Sequence, residues 1–259
     1  KSFELFVRMN HEPSIPVLLM ETGMAYQTVG NYAQAGVAYE NALQIWQKEG
    51  NLSWQANLLN NLGILRQFQG EYEKAALAFE EGLLCAKRSA YTRMEALINI
   101  GLGDLYTELE DFDIAQLNYR NAEGLVRGMN NRFLSFYLDV AQAILMVRQN
   151  KTGEAGQFIK NAARRLQSGD SLYEQGLLHF VRGRLFLVER DVSRAIHQFE
   201  KAGQCFSEDG RKMESDANSI WLATAQHQAK NDSAARQILK TIPSERGQVP
   251  YGILVAVYQ

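Results

Sequence analysis

A small residue returns at every fortieth position of this chain, six times, with no insertion or deletion between copies. Two further columns share the period, one of alanines and one of large apolar residues. The three columns are Gly23, Gly63, Gly103, Ala143, Gly183 and Ala223; Ala35, Ala75, Ala115, Ala155, Ala195 and Ala235; and Tyr39, Phe79, Tyr119, Ile159, Phe199 and Leu239. A fixed period of this length predicts a stacked array, in which each copy buries its apolar face against its neighbours.

Each copy is predicted to be a helix, a tight turn and a second helix. Apolar residues three and four positions apart mark one face of each helix. The break between the helices recurs in phase, at Gly30-Asn31, Gly70-Glu71, Glu110-Asp111, Asn150-Lys151, Arg190-Asp191 and Lys230-Asn231. Glycine suits the left-handed position after a helix, and Asn or Asp suits the N-cap of the next one.

The columns resemble the tetratricopeptide repeat, or TPR. The second copy gives Leu62-Gly63, Gly70, Tyr72, Ala75 and Phe79, and the third gives Leu102-Gly103, Tyr106, Phe112, Ala115, Tyr119 and Ala122. HEAT and armadillo repeats have similar periods but do not place small and aromatic residues in this way. The resemblance implies an all-α, right-handed superhelix of six helix pairs. Residues left over at the two ends predict a partial helix at each end.

The 40-residue period is longer than the usual TPR period of about 34 residues. This long version resembles the repeats of bacterial maltose-type and antibiotic-regulator-type transcription activators. It is also similar to peptide-sensing regulators, kinesin light chains and Leu-Gly-Asn scaffold proteins. We expect residues 1–259 to form a single superhelical domain excised from a larger protein.

Composition and motifs indicate a binding module rather than an enzyme. The net charge of −2 gives no indication of a general affinity for nucleic acids. The four histidines, at positions 11, 179, 197 and 227, form no metal-ligand spacing with each other or with a cysteine. No nucleophile has a nearby base, so we expect no catalytic residue, metal or cofactor. Without a secretory signal or an apolar run of membrane-spanning length, we expect a cytoplasmic location and no membrane contact.

The resemblance places the first helix of each pair on the concave face, where a partner would bind. Phase from the small-residue column then selects inward polar and aromatic side chains that are poorly suited to helix packing. These candidate binding residues are Asn57, Asn61, Asp104, Tyr137, Arg148, Arg184 and Trp221. An Asn side chain both donates to and accepts from a peptide backbone, and an Asn at the place of Asn61 does so in peptide-binding relatives. Because burying an unpaired Asn or Arg is costly, we expect all seven to meet solvent or a ligand.

These observations predict a non-catalytic recognition domain that binds a protein, a peptide or a small effector on its concave face. The resemblance favours the sensor or interaction region of a bacterial transcriptional regulator. A scaffold or cargo adaptor of the kinesin-light-chain or Leu-Gly-Asn kind, or a peptide-sensing quorum regulator, remains an alternative. The sequence does not distinguish among ligands or oligomeric states.

Overall fold

The computed structural model describes residues 15–166 and 171–242. Within these ranges the chain is all-α, with no strand, and the helices follow one another in pairs. They are α1 Ile15–Thr28, α2 Tyr32–Lys48, α3 Leu52–Phe68, α4 Tyr72–Arg88, α5 Thr92–Glu108, α6 Phe112–Met129, α7 Arg132–Arg148, α8 Thr152–Arg165, α9 Leu172–Val188, α10 Val192–Glu208, α11 Lys212–Gln228 and α12 Asp232–Lys240. The predicted all-α TPR-like fold is confirmed. The partial helices predicted at the two ends lie outside the described residues.

The predicted turns within each pair are confirmed in their details. The second residue after each first helix has a positive φ: Gly30 76°, Gly70 77°, Glu110 61°, Asn150 58°, Arg190 61° and Lys230 62°. The next residue is the N-cap, and the side chain accepts a backbone hydrogen bond three residues later at Asn31, Asp111, Asp191 and Asn231. Glu71 and Lys151 occupy the same position without a side-chain cap bond. Local residue choice therefore specifies where most second helices begin.

The turns between successive pairs use the same device, which the sequence analysis did not identify. Gly50, Ala90, Asn130 and Gly210 have φ between 46° and 69°. Asn51, Asn131 and Ser171 then cap the following helices, each accepting from the N–H three residues on. The signal was available in the sequence, since Gly50-Asn51 and Asn130-Asn131 stand in the same 40-residue phase.

The helices divide into two compact units, residues 1–101 and 102–259, and the division falls inside α5. In unit 1, α1 packs on α2, α2 on α3 and α3 on α4. In unit 2, the pairs α7–α8, α9–α10 and α11–α12 pack internally, and the first helices α7, α9 and α11 also contact one another in sequence. These first helices carry Tyr137, Arg148, Arg184 and Trp221, and the remaining unit 2 candidate, Asp104, lies on α5.

The small and aromatic columns fit together inside each pair. The alanine column is completely buried, with 0% exposure at Ala35, Ala75, Ala115, Ala155 and Ala195 and 7% at Ala235. In unit 1 the Phe79 ring lies against Gly63 of its own pair, where an added Cβ would come within 2.6 Å of it. It also lies against Gly101 of the next copy, at 2.8 Å from such a Cβ. The aromatic residue thus fills a gap that only a missing side chain leaves open.

Candidate functional site

The column one residue after the repeat Gly or Ala carries the two charges of interest. Its members are Met24, Ile64, Asp104, Ile144, Arg184 and Thr224. Asp104 and Arg184 are the charged members, and both belong to unit 2. In unit 1 this column is exposed, at Met24 and Ile64. Asp104 is instead partly buried and Arg184 is buried, so both charges lose hydration and each needs an explanation from its surroundings.

Two tyrosine hydroxyls meet the Asp104 carboxyl group. The Tyr119 hydroxyl donates to Oδ1 at 2.7 Å from the outer helix α6, and the Tyr137 hydroxyl reaches Oδ2 from α7 at 3.5 Å. Thr107 stands one turn along α5, with its Oγ1 3.2 Å from the Tyr119 hydroxyl. Thr107 also donates to the Gly103 carbonyl oxygen at 2.7 Å. Asp104 is therefore the acceptor end of a buried hydroxyl chain.

The protonation state of Asp104 decides how that chain is connected. Burial raises the pKa of Asp104 to about 7, against the opposing effect of the Tyr119 hydrogen bond. With Asp104 ionised, Tyr119 donates to it, Thr107 donates to Gly103, and no proton lies between the two hydroxyl oxygens. With Asp104 protonated, protons run from Asp104 to Tyr119 to Thr107 to the Gly103 carbonyl. The neutral form thus completes the chain, and the ionised form leaves one contact without a proton.

Arg184 is held in a different way, by aromatic rings. Its guanidinium carbon lies 4.3 Å from the centroid of the Trp221 ring and 5.9 Å from that of Phe180. The side chain is buried, with 9% exposure, and its Nε has no hydrogen-bond partner among the described residues. Burial, helped by the nearby charge of Arg148, lowers the pKa of Arg184 to about 10, so the group stays protonated at neutral pH. Arg184 departs from the expectation of solvent contact, because the rings rather than water cover it.

Arg148 is partly buried at the end of α7 and is already engaged. It forms an ion pair with Glu110 at 3.0 Å, and the same nitrogen lies 3.5 Å from the Glu108 carbonyl oxygen. Its charge nevertheless reaches Arg184 and disfavours the protonated form there. The positive charge of Arg148 therefore acts on Arg184 through space. The Nη2 group of Arg148 is itself engaged by Glu110 and by the Glu108 carbonyl oxygen.

The two asparagine candidates lie on α3 in unit 1. Both are partly buried. The Asn57 amide donates to the Ser53 carbonyl oxygen of its own helix at 3.0 Å, so this donor is not directed at a partner. Their role in binding stays a prediction. The contacts described above form two groups, Asp104 with Tyr137 and Arg184 with Trp221.

Three residues near these contacts were not among the candidates selected from the sequence. Tyr119 was assigned to packing, yet its hydroxyl reaches Asp104. The signal was the choice of Tyr at a position where Phe79 and Phe199 show that no hydroxyl is needed for packing. Tyr173 and Glu214 add further partly buried polar groups, and burial raises the pKa of both. Nothing in the repeat phase distinguishes these two from ordinary surface positions.

Metal-ligand clusters and membrane-spanning helices are both absent from the described ranges. Among residues 15–166 and 171–242, no group of three or more His, Cys, Asp or Glu side chains is placed to hold a metal ion. Across the same part of the chain, no helix combines the length and the apolar character needed to cross a membrane.

The chain matches the model of the MalT-like TPR region over residues 10–248 and belongs to this family. It is thus a TPR region of the MalT-like regulator type. Among solved structures it is similar to BtubC (BKLC) from P. vanneervenii, with a TM-score of 0.54, 18% identity, and coverage of 88% of this chain and 91% of that chain. It is also similar to a STAND protein with a TPR sensor from Pyrococcus horikoshii, with a TM-score of 0.50 and 15% identity. That match covers 98% of this chain but 42% of the other. At these identities the likeness concerns the fold alone. No curated protein matches the chain significantly.

Proposed function

We propose that this chain is the ligand-sensing region of a bacterial transcriptional regulator and that it recognises its ligand without catalysis. Membership of the MalT-like family supports the regulator part of the proposal. The Pyrococcus horikoshii protein is described as carrying a TPR sensor, and we extend that role to this chain. In this view the flanking parts of the regulator read out what the repeats bind.

We further propose that the ligand contacts the inner helices of unit 2. The observation that carries this is the withdrawal of two charges of one repeat column from solvent, Asp104 beneath two tyrosine hydroxyls and Arg184 against Trp221. In unit 1 the same column is exposed, at Met24 and Ile64. Buried charges of this kind do not improve helix packing. Convergent polar groups beside aromatic surface are typical of ligand sites, where polar groups fix orientation and rings supply contact area.

The test uses the immobilised chain to capture its own ligand from cell extract. The immobilised chain is exposed to cell extract separated into small-molecule and protein fractions, retained compounds are identified by mass spectrometry, and their binding is measured by calorimetry. The probe variant carries Asp104→Asn and Tyr137→Phe, which keep shape but change the hydrogen bonding. The control is Asp113→Asn, which removes one formal charge at an exposed position of α6.

We expect a retained small molecule or peptide to bind the wild type and the control equally and the double variant about tenfold more weakly, equivalent to one or two altered hydrogen bonds. Equal binding by all three proteins, with unchanged circular dichroism, would show that the inner face of unit 2 is not the site. Retention of folded proteins alone, equally by all three, would instead favour the scaffold interpretation.

A further inference from the structure

Three arginines in unit 2 stack on aromatic rings, and they differ in what their Nε atoms meet. Arg194 lies 4.4 Å from the Phe186 centroid, and its Nε donates to Asp191 at 2.6 Å. In this pair the ring covers one face of the guanidinium, and a carboxylate of the same turn neutralises its charge.

Arg211 repeats that arrangement, and Arg184 does not. Arg211 lies 4.6 Å from the Tyr173 centroid, and its Nε donates to Asp209 at 2.8 Å. Arg184 approaches its ring at 4.3 Å, which is as close, yet its Nε finds no acceptor among the described residues. It is also the most buried of the three, since Arg194 and Arg211 are exposed. The arginine with the greatest need of a carboxylate is therefore the one whose Nε lacks it.

Cation–π contact does not remove that need. A stacked ring attracts the cation, but an unmade hydrogen bond of a buried charged group costs about as much free energy as the ring supplies, or more. Arg148 adds a second positive charge to the region. Glu108 is the carboxylate whose field reaches Arg184 and opposes Arg148, and the Glu108 side chain is exposed at the end of α5. Because Arg148 is itself paired with Glu110, what Arg184 lacks is a hydrogen-bond acceptor at its Nε, which an oxyanion would supply.

We propose that Arg184, backed by Trp221 and Phe180, is the anchor for an oxyanion of the ligand, a carboxylate or a phosphate. This inference rests on the proposed function and deepens it, since it gives the ligand a chemical class. The planar guanidinium offers its Nε–H and terminal N–H groups in the fork geometry that suits both anions. The rings fix the plane of the fork before the ligand arrives, which lowers the entropy cost of binding.

The experiment follows the Nε–Hε signals of the wild-type chain labelled with ¹⁵N-arginine, at constant ionic strength. The Arg184 signal is assigned as the one missing from the spectrum of Arg184→Lys, and the Arg194 signal from that of Arg194→Lys. The probes are inorganic phosphate, N-acetylglycine and the neutral N-acetylglycinamide. The titrations are recorded on the wild type, and the two variants serve only to assign its signals.

We expect phosphate, N-acetylglycine or both to shift the Arg184 signal saturably, with a Kd on the order of 1 mM for so small a probe. The Arg194 signal, already bonded to Asp191, should move little. A response to phosphate only identifies a phosphorylated ligand, and a response to N-acetylglycine only identifies a carboxylate. The proposal is overturned if neither anion gives saturation, if the neutral amide acts equally, or if Arg194 shifts as much as Arg184.

The anion titration and the ligand-retention experiment can fail independently of each other. Suppose that neither anion shifts the Arg184 signal, while the Asp104→Asn, Tyr137→Phe variant binds the retained ligand more weakly. The sensing function then stands and the anion anchor is wrong. If Arg184 binds an anion while the retained ligand binds all variants equally, the anchor stands and the proposed site for that ligand is wrong.

Discussion

Replacing Asp104 by Asn should stabilise the protein, and the gain should grow with pH. The pKa of Asp104 is raised by burial from 3.8 to about 7 in the folded state. Between these values the folded protein holds a proton that the unfolded chain has released, so wild-type stability falls as the pH rises through this window and levels off above it. Asn does not titrate, and its amide stands in for the neutral acid.

The size of the effect follows from the shift. About 3 pH units at ~1.4 kcal/mol each give a ceiling of about 4 kcal/mol, of which most is lost between pH 5 and pH 8. Because the side chain keeps partial solvent contact, we expect the free energy of unfolding of Asp104→Asn to gain about 1–3 kcal/mol over the wild type between these two pH values.

The assay is urea unfolding followed by circular dichroism at pH 5, 6, 7 and 8, for the wild type, Asp104→Asn and the exposed control Asp113→Asn. The difference between the wild type and Asp104→Asn should open with pH, and the difference for the control should stay flat. If the two tyrosine hydroxyls outweighed burial, the folded-state pKa would lie below 3.8 and the Asp104→Asn difference would also be flat from pH 5 to pH 8. A flat difference therefore refutes the reasoning.

Two further predictions test the packing and the ion pairs of unit 2. Gly183→Ala should lower the free energy of unfolding by about 1–3 kcal/mol, because its Cβ would come within 2.6 Å of the Phe199 ring. The control Gly156→Ala, where no atom lies within 4 Å of the added Cβ, should gain about 0.5–1 kcal/mol in urea titrations; a loss at both positions would contradict this account. Arg165→Met removes the partner 2.6 Å from Asp139, whose pKa burial already raises. Its destabilisation should therefore be small at pH 4 and reach about 1–3 kcal/mol at pH 7, and an equal loss at both pH values would count against it.

The helices and their boundaries within each pair could be predicted from the sequence because the information is local. Asn31, Asp111 and Asp191 cap the helices that follow them, and each acts within four residues of chain. The columns of small and aromatic residues add the register between helices. Repetition strengthens both signals, since the side-chain cap recurs in four of the six pairs and the small-residue column in all six.

The contacts of the candidate residues were less predictable. The position of a residue within the 40-residue repeat indicates the helix face on which it lies, but not the side chains that surround it. Phase predicts Arg184 on the inner side of its helix, but it does not show that the Trp221 ring lies 4.3 Å away and covers the guanidinium. The local bonds of Arg148 to Glu110 were hidden for the same reason, because the two residues are 38 positions apart. Side-chain reach across helices depends on rotamers, and the repeat pattern does not specify them.

The connection between scaffold and site is clearest at Tyr119. The Phe79 ring packs on Gly63 of its own pair and on Gly101 of the next copy, and it carries no polar atom. At Tyr119 the same ring position over Gly103 brings one additional oxygen to 2.7 Å from Asp104. Tyr39 makes the corresponding use of its hydroxyl in unit 1, donating to Gln27 at 2.9 Å. A packing position thus becomes part of a polar site by the addition of a hydroxyl, without any change in the helices. A repeat array can therefore gain polar groups one position at a time, because the small-residue column already holds the ring in place.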